Sequence, residues 1–241
     1  MPNRIKTHLE NLGNQKLLLP FFTAGYPNLS MTMELVKIAE AVGVDFIELG
    51  IPFSDPLADG PEIQYSSKVA LDNGITVKQI LNTVGKIRKN SNIPIILMGY
   101  YNPLIAYNES KFIKDAGNSG VDGLIIPDLP VEEALQFRET VSQNRLSLTF
   151  LVSPTSSIKR IKLIDKYSSD FVYAVTVTGV TGTGKVFGQA TDNYLNKLKR
   201  LLNRRFVAGF GVSSEITAKR LSRYSDGVVI GSAIVKIIKN A

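Results

Sequence analysis

The chain has 241 residues, of which 44% are apolar and 20% are charged, as is usual for a globular protein. It contains no cysteine, which excludes a disulfide framework, thiolate metal sites and a cysteine nucleophile. The net charge of +7 is spread over predicted helices without interleaved aromatic residues, so we favour solvated helix faces over a nucleic-acid-binding stripe. No apolar stretch reaches the roughly 18 residues of a membrane span.

Short apolar runs alternate with amphipathic, helix-length runs along the whole chain. The predicted strands are Leu17–Phe22, Val44–Leu49, Pro94–Met98, Gly123–Ile126, Ser147–Val152, Phe171–Val175, Phe206–Ala208 and Gly227–Ile230. The predicted helices are Met31–Val42, Val77–Ile87, Glu109–Ser119, Val131–Gln143, Ile158–Lys166, Tyr194–Leu202, Ser213–Leu221 and Ser232–Ile238. The candidate N-caps are Ser30, Thr76, Ser157 and Ser213.

Eight strand-then-helix units predict βαβ connections and a parallel sheet. In a chain of this length without a linker, the economical architecture is a (β/α)8 TIM barrel in the α/β class, formed as a single domain from residues 1–241. A doubly wound open sheet is the alternative. Two long segments, Ile51–Ile75 and Thr176–Thr191, follow the second and sixth strands, and barrels place their active sites in such loops.

The segment after the second strand contains the candidate catalytic carboxylates. Glu48 interrupts an apolar strand near its carboxyl end, which would direct the side chain into the barrel mouth. Partial desolvation there raises a carboxyl pKa and suits a general acid or base. Asp55 and Asp59 follow on a proline-rich loop. A solvated strand end for Glu48 and simple turn chemistry for the two aspartates remain the structural alternatives.

Glycines recur at the ends of the last three predicted strands, in 179–182, in 209–211 and at Gly231 before Ser232. Such positions let backbone N–H groups approach an anion, and a following helix N-terminus favours negative charge. We therefore predict a phosphate site on this rim, with tight turns as the alternative. The run from Gly179 to Lys185 is similar to a nucleotide-binding P-loop, but Val186 replaces the required hydroxyl residue.

Several motifs, read together in chain order, resemble the tryptophan synthase α subunit family. The resemblance rests on Pro20–Pro27, Glu48 with the run Ser54–Gly60, Leu97–Pro103, Pro127–Pro130, Gly179–Gly182 and Gly209–Gly211. It implies that the enzyme cleaves indole-3-glycerol phosphate into indole and glyceraldehyde 3-phosphate. It also implies that Glu48 transfers the proton at indole C3 and at the glycerol hydroxyl, and that Asp59 holds the indole N–H.

The same resemblance implies the rest of the site. Phe21, Leu97, Tyr173 and Thr181 would line the substrate pocket, with Thr181 ordering the aspartate when its loop closes. The phosphate would be bound by Gly182, Phe210, Gly211, Gly231 and Ser232.

The resemblance further implies a partner, a β subunit in an αββα heterotetramer that receives the indole. The contact would involve Asp55–Gln64, Tyr101–Tyr107 and Pro127–Glu132. Pyridoxal phosphate is expected only in that partner, and this chain is expected to use neither a cofactor nor a metal, since His8 is its only histidine. The expected location is the cytoplasm, or the stroma of a plastid that encodes the chain. A stand-alone lyase and another phosphosugar-binding barrel isomerase are the alternative functions.

Overall fold

The computed structural model describes residues 3–176 and 188–240 of the chain. Within them lie nine strands: β1 Leu17–Thr23, β2 Ile47–Gly50, β3 Ile95–Met98, β4 Gly123–Ile125, β5 Ser147–Thr149, β6 Leu151–Val152, β7 Phe171–Val175, β8 Arg205–Gly209 and β9 Gly227–Ile230. The helices are α1 Arg4–Asn11, α2 Leu29–Ala41, α3 Pro61–Asp72, α4 Val77–Ile87, α5 Tyr101–Tyr107, α6 Glu109–Ser119, α7 Leu135–Gln143, α8 Ile158–Tyr167, α9 Gln189–Leu201, α10 Glu215–Ser222 and α11 Ser232–Lys239. None of these helices is long and apolar enough to cross a membrane.

The strands form a nearly closed parallel barrel in the order β5-β4-β3-β2-β1-β9-β8-β7-β6. Strands β5 and β6 are the two halves of one bent run, for which the sequence predicts a single strand. Phe150 separates them, and its carbonyl accepts a hydrogen bond from the Tyr173 N–H at 3.1 Å. Because β5 pairs with β4 and β6 pairs with β7, the bent run joins both ends of the sheet. The predicted (β/α)8 barrel is confirmed, and the open sheet is excluded.

Side chains alternate between the barrel interior and the layer of surrounding helices. Phe21 of β1 lies in register with Glu48 of β2, which lies in register with Ile96 of β3. Phe21 and Ile96 belong to the inner apolar cluster, whereas their neighbours Phe22 and Leu97 pack in the outer one. The residues of each strand whose side chains point inward are therefore the ones that can reach the mouth of the barrel.

Two predicted N-caps are confirmed and two are wrong by one or two residues. Thr76 forms a capping box with Gln79 at the start of α4, and Ser157 caps α8. Helix α2 is capped by Asn28, whose side-chain oxygen accepts from the Met31 N–H at 2.8 Å, and not by Ser30. Helix α10 is capped by Ser214 and not by Ser213.

The long segment between residues 51 and 75, for which the sequence predicts a loop, contains the twelve-residue helix α3. Proline at its first position and Gly60 at its N-cap start this helix directly after Asp59. Its buried face includes Ser66, whose hydroxyl is hydrogen-bonded to Thr23 of β1 at 2.6 Å. Helix α3 thus anchors the loop that carries Asp59 to the barrel wall.

Candidate active site

A cavity at the carboxyl ends of the strands brings together most of the predicted site residues. It is lined by Phe21, Glu48, Asp59, Ile63, Met98, Tyr173, Phe210, Gly211, Val212, Val229, Gly231 and Ser232. Its volume is about 50 Å³, whereas pockets that hold organic ligands are typically 300 Å³ or larger, roughly. A bicyclic ligand can therefore enter only if the wall of this cavity expands.

Glu48 is an ionisable side chain in an apolar wall, with 1% of its surface exposed. Within the described part of the chain, its Oε2 atom has no hydrogen-bond partner. Burial raises the pKa of Glu48 to about 8, and the negative charge of Asp59 adds to the rise. At neutral pH the carboxyl is thus mainly protonated and can donate a proton into the cavity.

Asp59 faces the same cavity from the loop after β2. Burial raises the pKa of Asp59 to about 6, and a hydrogen bond from the Tyr100 hydroxyl opposes part of this rise. The same hydroxyl accepts the Ala58 N–H at 2.9 Å, so Tyr100, which follows β3, holds the loop at the residue beside Asp59. At neutral pH Asp59 is mainly ionised, and the two carboxyls have opposite protonation states.

Two strand-end glycines make room for the aromatic walls of the cavity. A Cβ atom at Gly50 would overlap the ring of Phe21, and one at Gly209 would overlap the hydroxyl and ring of Tyr173. Both aromatic rings therefore lie flat across the end of a neighbouring strand. The cavity thus has two aromatic side chains in its wall, which suits an aromatic ligand.

The rim opposite the carboxylates has the features of an anion site. Phe210 and Gly211 adopt left-handed backbone conformations, with φ of 69° and 83°, directly after β8. On the adjacent strand end, Gly231 precedes α11, whose first residue is Ser232. All four residues line the cavity, and free backbone N–H groups at a helix N-terminus attract anions. Thr181 and Gly182, predicted for the pocket and the phosphate, lie outside the described residues.

The structure corrects one predicted pocket residue. Leu97 is fully buried but packs in the outer cluster, whereas the next residue, Met98, lines the cavity. A shift of one residue along a strand reverses the face, and the apolar run Ile95–Met98 gives no sign of which face is which. Ile63, Val212 and Val229 also line the cavity and escape prediction, because an apolar residue near a strand end is usually core.

A larger depression of about 1060 Å³ lies at the opposite end of the barrel, but its buried charges are already paired. Asp122 accepts hydrogen bonds from Arg88 at 2.6 Å, from Arg4 at 2.9 Å and from the Ile95 N–H at 2.9 Å. This network joins α1 and α4 to the start of β3 and β4, which indicates a stabilising role. In residues 3–176 and 188–240 no group of side chains has the composition of a metal site.

Comparison with known proteins agrees with this geometry. The family model described as "Tryptophan synthase alpha chain" matches residues 8–241. Tryptophan synthase alpha chains from Geotalea uraniireducens and Petrotoga mobilis are 44% and 43% identical, over 98% and 93% of this chain and 90% and 87% of theirs.

Solved structures agree as well. The alpha chain from Legionella pneumophila superposes with a TM-score of 0.90 at 34% identity, covering 100% of this chain and 89% of that one. A chain from the α2β2 tryptophan synthase complex of Pyrococcus furiosus gives 0.86 at 38% identity, covering 94% and 92%. The barrel, the paired carboxylates and these matches together show that the chain belongs to the tryptophan synthase alpha chain family.

Proposed function

We propose that this chain cleaves indole-3-glycerol phosphate into indole and D-glyceraldehyde 3-phosphate, with Glu48 and Asp59 as its catalytic residues. The observation that carries the proposal is the cavity shared by these two carboxyls, which differ in pKa. Retro-aldol cleavage needs a proton donor at one ring carbon, a base at a hydroxyl and an acceptor at the ring nitrogen. The two side chains supply all three.

Glu48 performs both proton transfers of the cleavage. Its carboxyl first donates a proton to indole C3, which leaves a positively charged ring nitrogen and a Glu48 carboxylate. That carboxylate then takes the proton of the hydroxyl on the adjacent side-chain carbon. The carbonyl of glyceraldehyde 3-phosphate forms as the C3–C3′ bond breaks, and the bonding electron pair restores the aromatic ring. Glu48 ends the cycle protonated, as it began.

Asp59 stabilises the charge that develops at the ring nitrogen. An ionised carboxylate accepts the indole N–H, and the interaction strengthens as the nitrogen becomes positive. Because Asp59 is mostly withdrawn from water, that charge is poorly screened and the interaction is strong. The negative charge of Asp59 also raises the pKa of Glu48, which keeps the Glu48 carboxyl protonated.

The remaining contacts are assigned from the residues that line the cavity. Phe21, Met98 and Tyr173 pack against the indole ring. Phe210, Gly211, Gly231 and Ser232 bind the phosphate through backbone N–H groups and the serine hydroxyl. Thr181 and Gly182 remain predictions for loop closure and phosphate binding.

We further propose that residues 1–241 act as one domain and that a tryptophan synthase β subunit binds over the barrel mouth. Leu57 is 82% exposed and Ile105 is 54% exposed, within two of the segments predicted to contact the partner. Apolar side chains at such a rim suit a protein interface. Pyridoxal phosphate belongs to the β subunit in this scheme, and the chemistry in this chain needs only its own carboxyls. The predicted location, cytoplasm or plastid stroma, stays a proposal.

Indole release from indole-3-glycerol phosphate by the purified chain tests the proposal. Glu48→Gln and Asp59→Asn should each lower turnover at least ~100-fold, because each removes a proton donor or acceptor. Asp55→Asn is the matched control, since Asp55 is exposed and does not line the cavity. Near-native turnover of Glu48→Gln would refute its role, and no indole from the wild-type chain would favour another phosphosugar enzyme. A rate unchanged by added β subunit would favour a stand-alone lyase.

A further inference from the structure

The turn after β8 holds a bulky residue in an unfavourable backbone conformation. Phe210 has a φ of 69°, in the left-handed region that residues other than glycine rarely adopt. Its ring contacts Tyr173 edge-on, with ring centroids 5.8 Å apart. Both residues line the cavity, so this conformation sets one wall of the site. An unfavourable conformation of this kind persists only where surrounding contacts enforce it.

Thr176 supplies the enforcing contact. It follows β7 directly, and its backbone N–H donates to the Gly209 carbonyl at 3.1 Å, which extends the β7–β8 pairing by one bond. Its hydroxyl oxygen lies 2.7 Å from that carbonyl and 2.5 Å from the carbonyl of Phe210. The Gly209 carbonyl also accepts the Thr176 backbone N–H, so it keeps a donor when the hydroxyl proton is donated to the Phe210 carbonyl.

The environment of Thr176 strengthens this bond. The residue is 4% exposed, so water does not compete for its hydroxyl. Without that hydroxyl the Phe210 carbonyl would lose the side-chain donor that holds it, and the turn could relax toward a right-handed conformation. Relaxation would move the backbone of Phe210 and Gly211 away from the position that borders the cavity.

We propose that Thr176 is a positioning residue for phosphate binding, acting through the Phe210–Gly211 turn. Its hydroxyl keeps the turn in the left-handed form that presents backbone N–H groups to the phosphate. The inference rests on the proposed function, because it assigns the phosphate of the substrate to this turn. Thr176 does not touch the reacting atoms, so it affects affinity and leaves the proton transfers unchanged.

A protein that must restore the turn on binding has a weaker apparent affinity but the same bound complex. Thr176→Val keeps the branched shape and removes the hydroxyl. We expect its KM for indole-3-glycerol phosphate to rise about 10-fold or more, as the loss of a buried hydrogen bond implies, with little change in kcat. The Kd for inorganic phosphate, measured by isothermal titration calorimetry, should rise by a similar factor, while the Kd for indole should change less.

Thr176→Ser retains the hydroxyl and should restore wild-type values. Thr176→Ala removes the same hydroxyl and serves where the valine variant does not fold. Thr83→Val is the matched control, since Thr83 is a buried threonine whose hydroxyl donates to the Gln79 carbonyl at 2.8 Å, on α4. It should leave KM and both Kd values unchanged.

Two results would overturn the inference. One is an unchanged Kd for phosphate in a folded Thr176→Val or Thr176→Ala variant. The other is an equal loss in Thr176→Ser, which would assign the effect to the methyl group. Failure of the proposed function has a different signature, because the wild-type chain itself would then release no indole.

Discussion

Glu48 and Asp59 show how one cavity gives two carboxyls different pKa values. Glu48 lies within a strand, fully surrounded by protein, whereas Asp59 reaches the cavity from a loop and retains a hydrogen bond from Tyr100. The stronger desolvation raises the pKa of Glu48 above neutrality, and the weaker one leaves the pKa of Asp59 below it. The protonation states therefore follow from the positions of the residues in the fold.

These pKa values predict a bell-shaped dependence of kcat/KM on pH. Activity should fall below the Asp59 pKa of about 6, where the acceptor becomes protonated, and above the Glu48 pKa of about 8, where the donor is lost. Tyr100→Phe should move the acid limb to higher pH, because the Tyr100 hydrogen bond lowers the pKa of Asp59. A flat profile from roughly pH 5 to 9 would contradict this assignment.

The same burial makes Glu48 a source of instability at neutral pH. Its pKa is about 8 in the folded chain, against an ordinary value of 4.5 for a glutamate in water, so the folded state binds more protons than the unfolded state between these values. The free energy of unfolding therefore decreases as pH rises from about 4.5 to about 8. Glu48→Gln removes this dependence and should stabilise the protein by about 3 kcal/mol at neutral pH.

Urea unfolding at several pH values measures the difference in the free energy of unfolding between Glu48→Gln and the wild type. Asp55→Asn is again the control. The gap between Glu48→Gln and wild type should widen with pH across that interval and should vanish at the acid end. A gap that stays constant with pH would mean that Glu48 does not titrate in this range.

At the scale of single elements, Gly50 and Gly209 end their strands without a side chain and so leave room for the rings of Phe21 and Tyr173. Gly209→Ala would overlap the hydroxyl and ring of Tyr173, which lines the cavity, and would force that ring to move. We expect KM for indole-3-glycerol phosphate to rise at least ~10-fold, because small displacements in a packed site are costly. Gly85→Ala is the control. Its Cβ would make only an ordinary van der Waals contact, 3.9 Å from the Ser119 carbonyl oxygen, and it should stabilise the helix by ~0.5–1 kcal/mol without changing KM. A wild-type KM in Gly209→Ala would contradict the prediction that Gly209 is needed to make room for the Tyr173 ring.

The sequence predicted the strands well, because parallel strands covered on both sides are apolar throughout and β7 and β9 have the predicted bounds. The same property conceals which face of a strand points inward, so the strand pattern gives no check on Leu97, which the family resemblance selects where Met98 lines the cavity. Helix α3 escaped prediction because serines occupy part of its buried face and no continuous apolar stripe marks it. The residue pattern marks Glu48, because a carboxylate in an otherwise apolar strand is unusual. It does not distinguish Asp59 from Asp55, and only the family resemblance selects Asp59.

At the scale of the whole molecule, the two ends of the barrel have different tasks. The carboxyl ends of the strands carry an unpaired buried carboxyl and a strained turn, both unfavourable for stability. The opposite end carries the paired Asp122 network, in which Asp122 is 2% exposed. The candidate active site thus lies at one end of the barrel and the paired charge network at the other, as is usual for this fold.

Asp122→Ala tests this division. It would leave the buried Arg88 guanidinium without its carboxylate partner, and we expect a loss of ~3–5 kcal/mol in the free energy of unfolding. The kcat/KM of the folded variant should stay within about twofold of wild type, because the sites are independent. Glu215→Ala removes an exposed ion pair with Lys219 and should cost less than ~1 kcal/mol. A large fall in kcat/KM for folded Asp122→Ala would show that the two ends are coupled.

The most direct test of the account is a crystal structure with an indole-3-alkyl phosphate that lacks the hydroxyl needed for cleavage. We expect the indole N–H within hydrogen-bond distance of Asp59, C3 facing the Glu48 carboxyl, and the phosphate at the turns of Gly211 and Ser232. A ligand bound with its ring outside the cavity, or with Glu48 directed away from C3, would contradict the assignment of these two carboxyls.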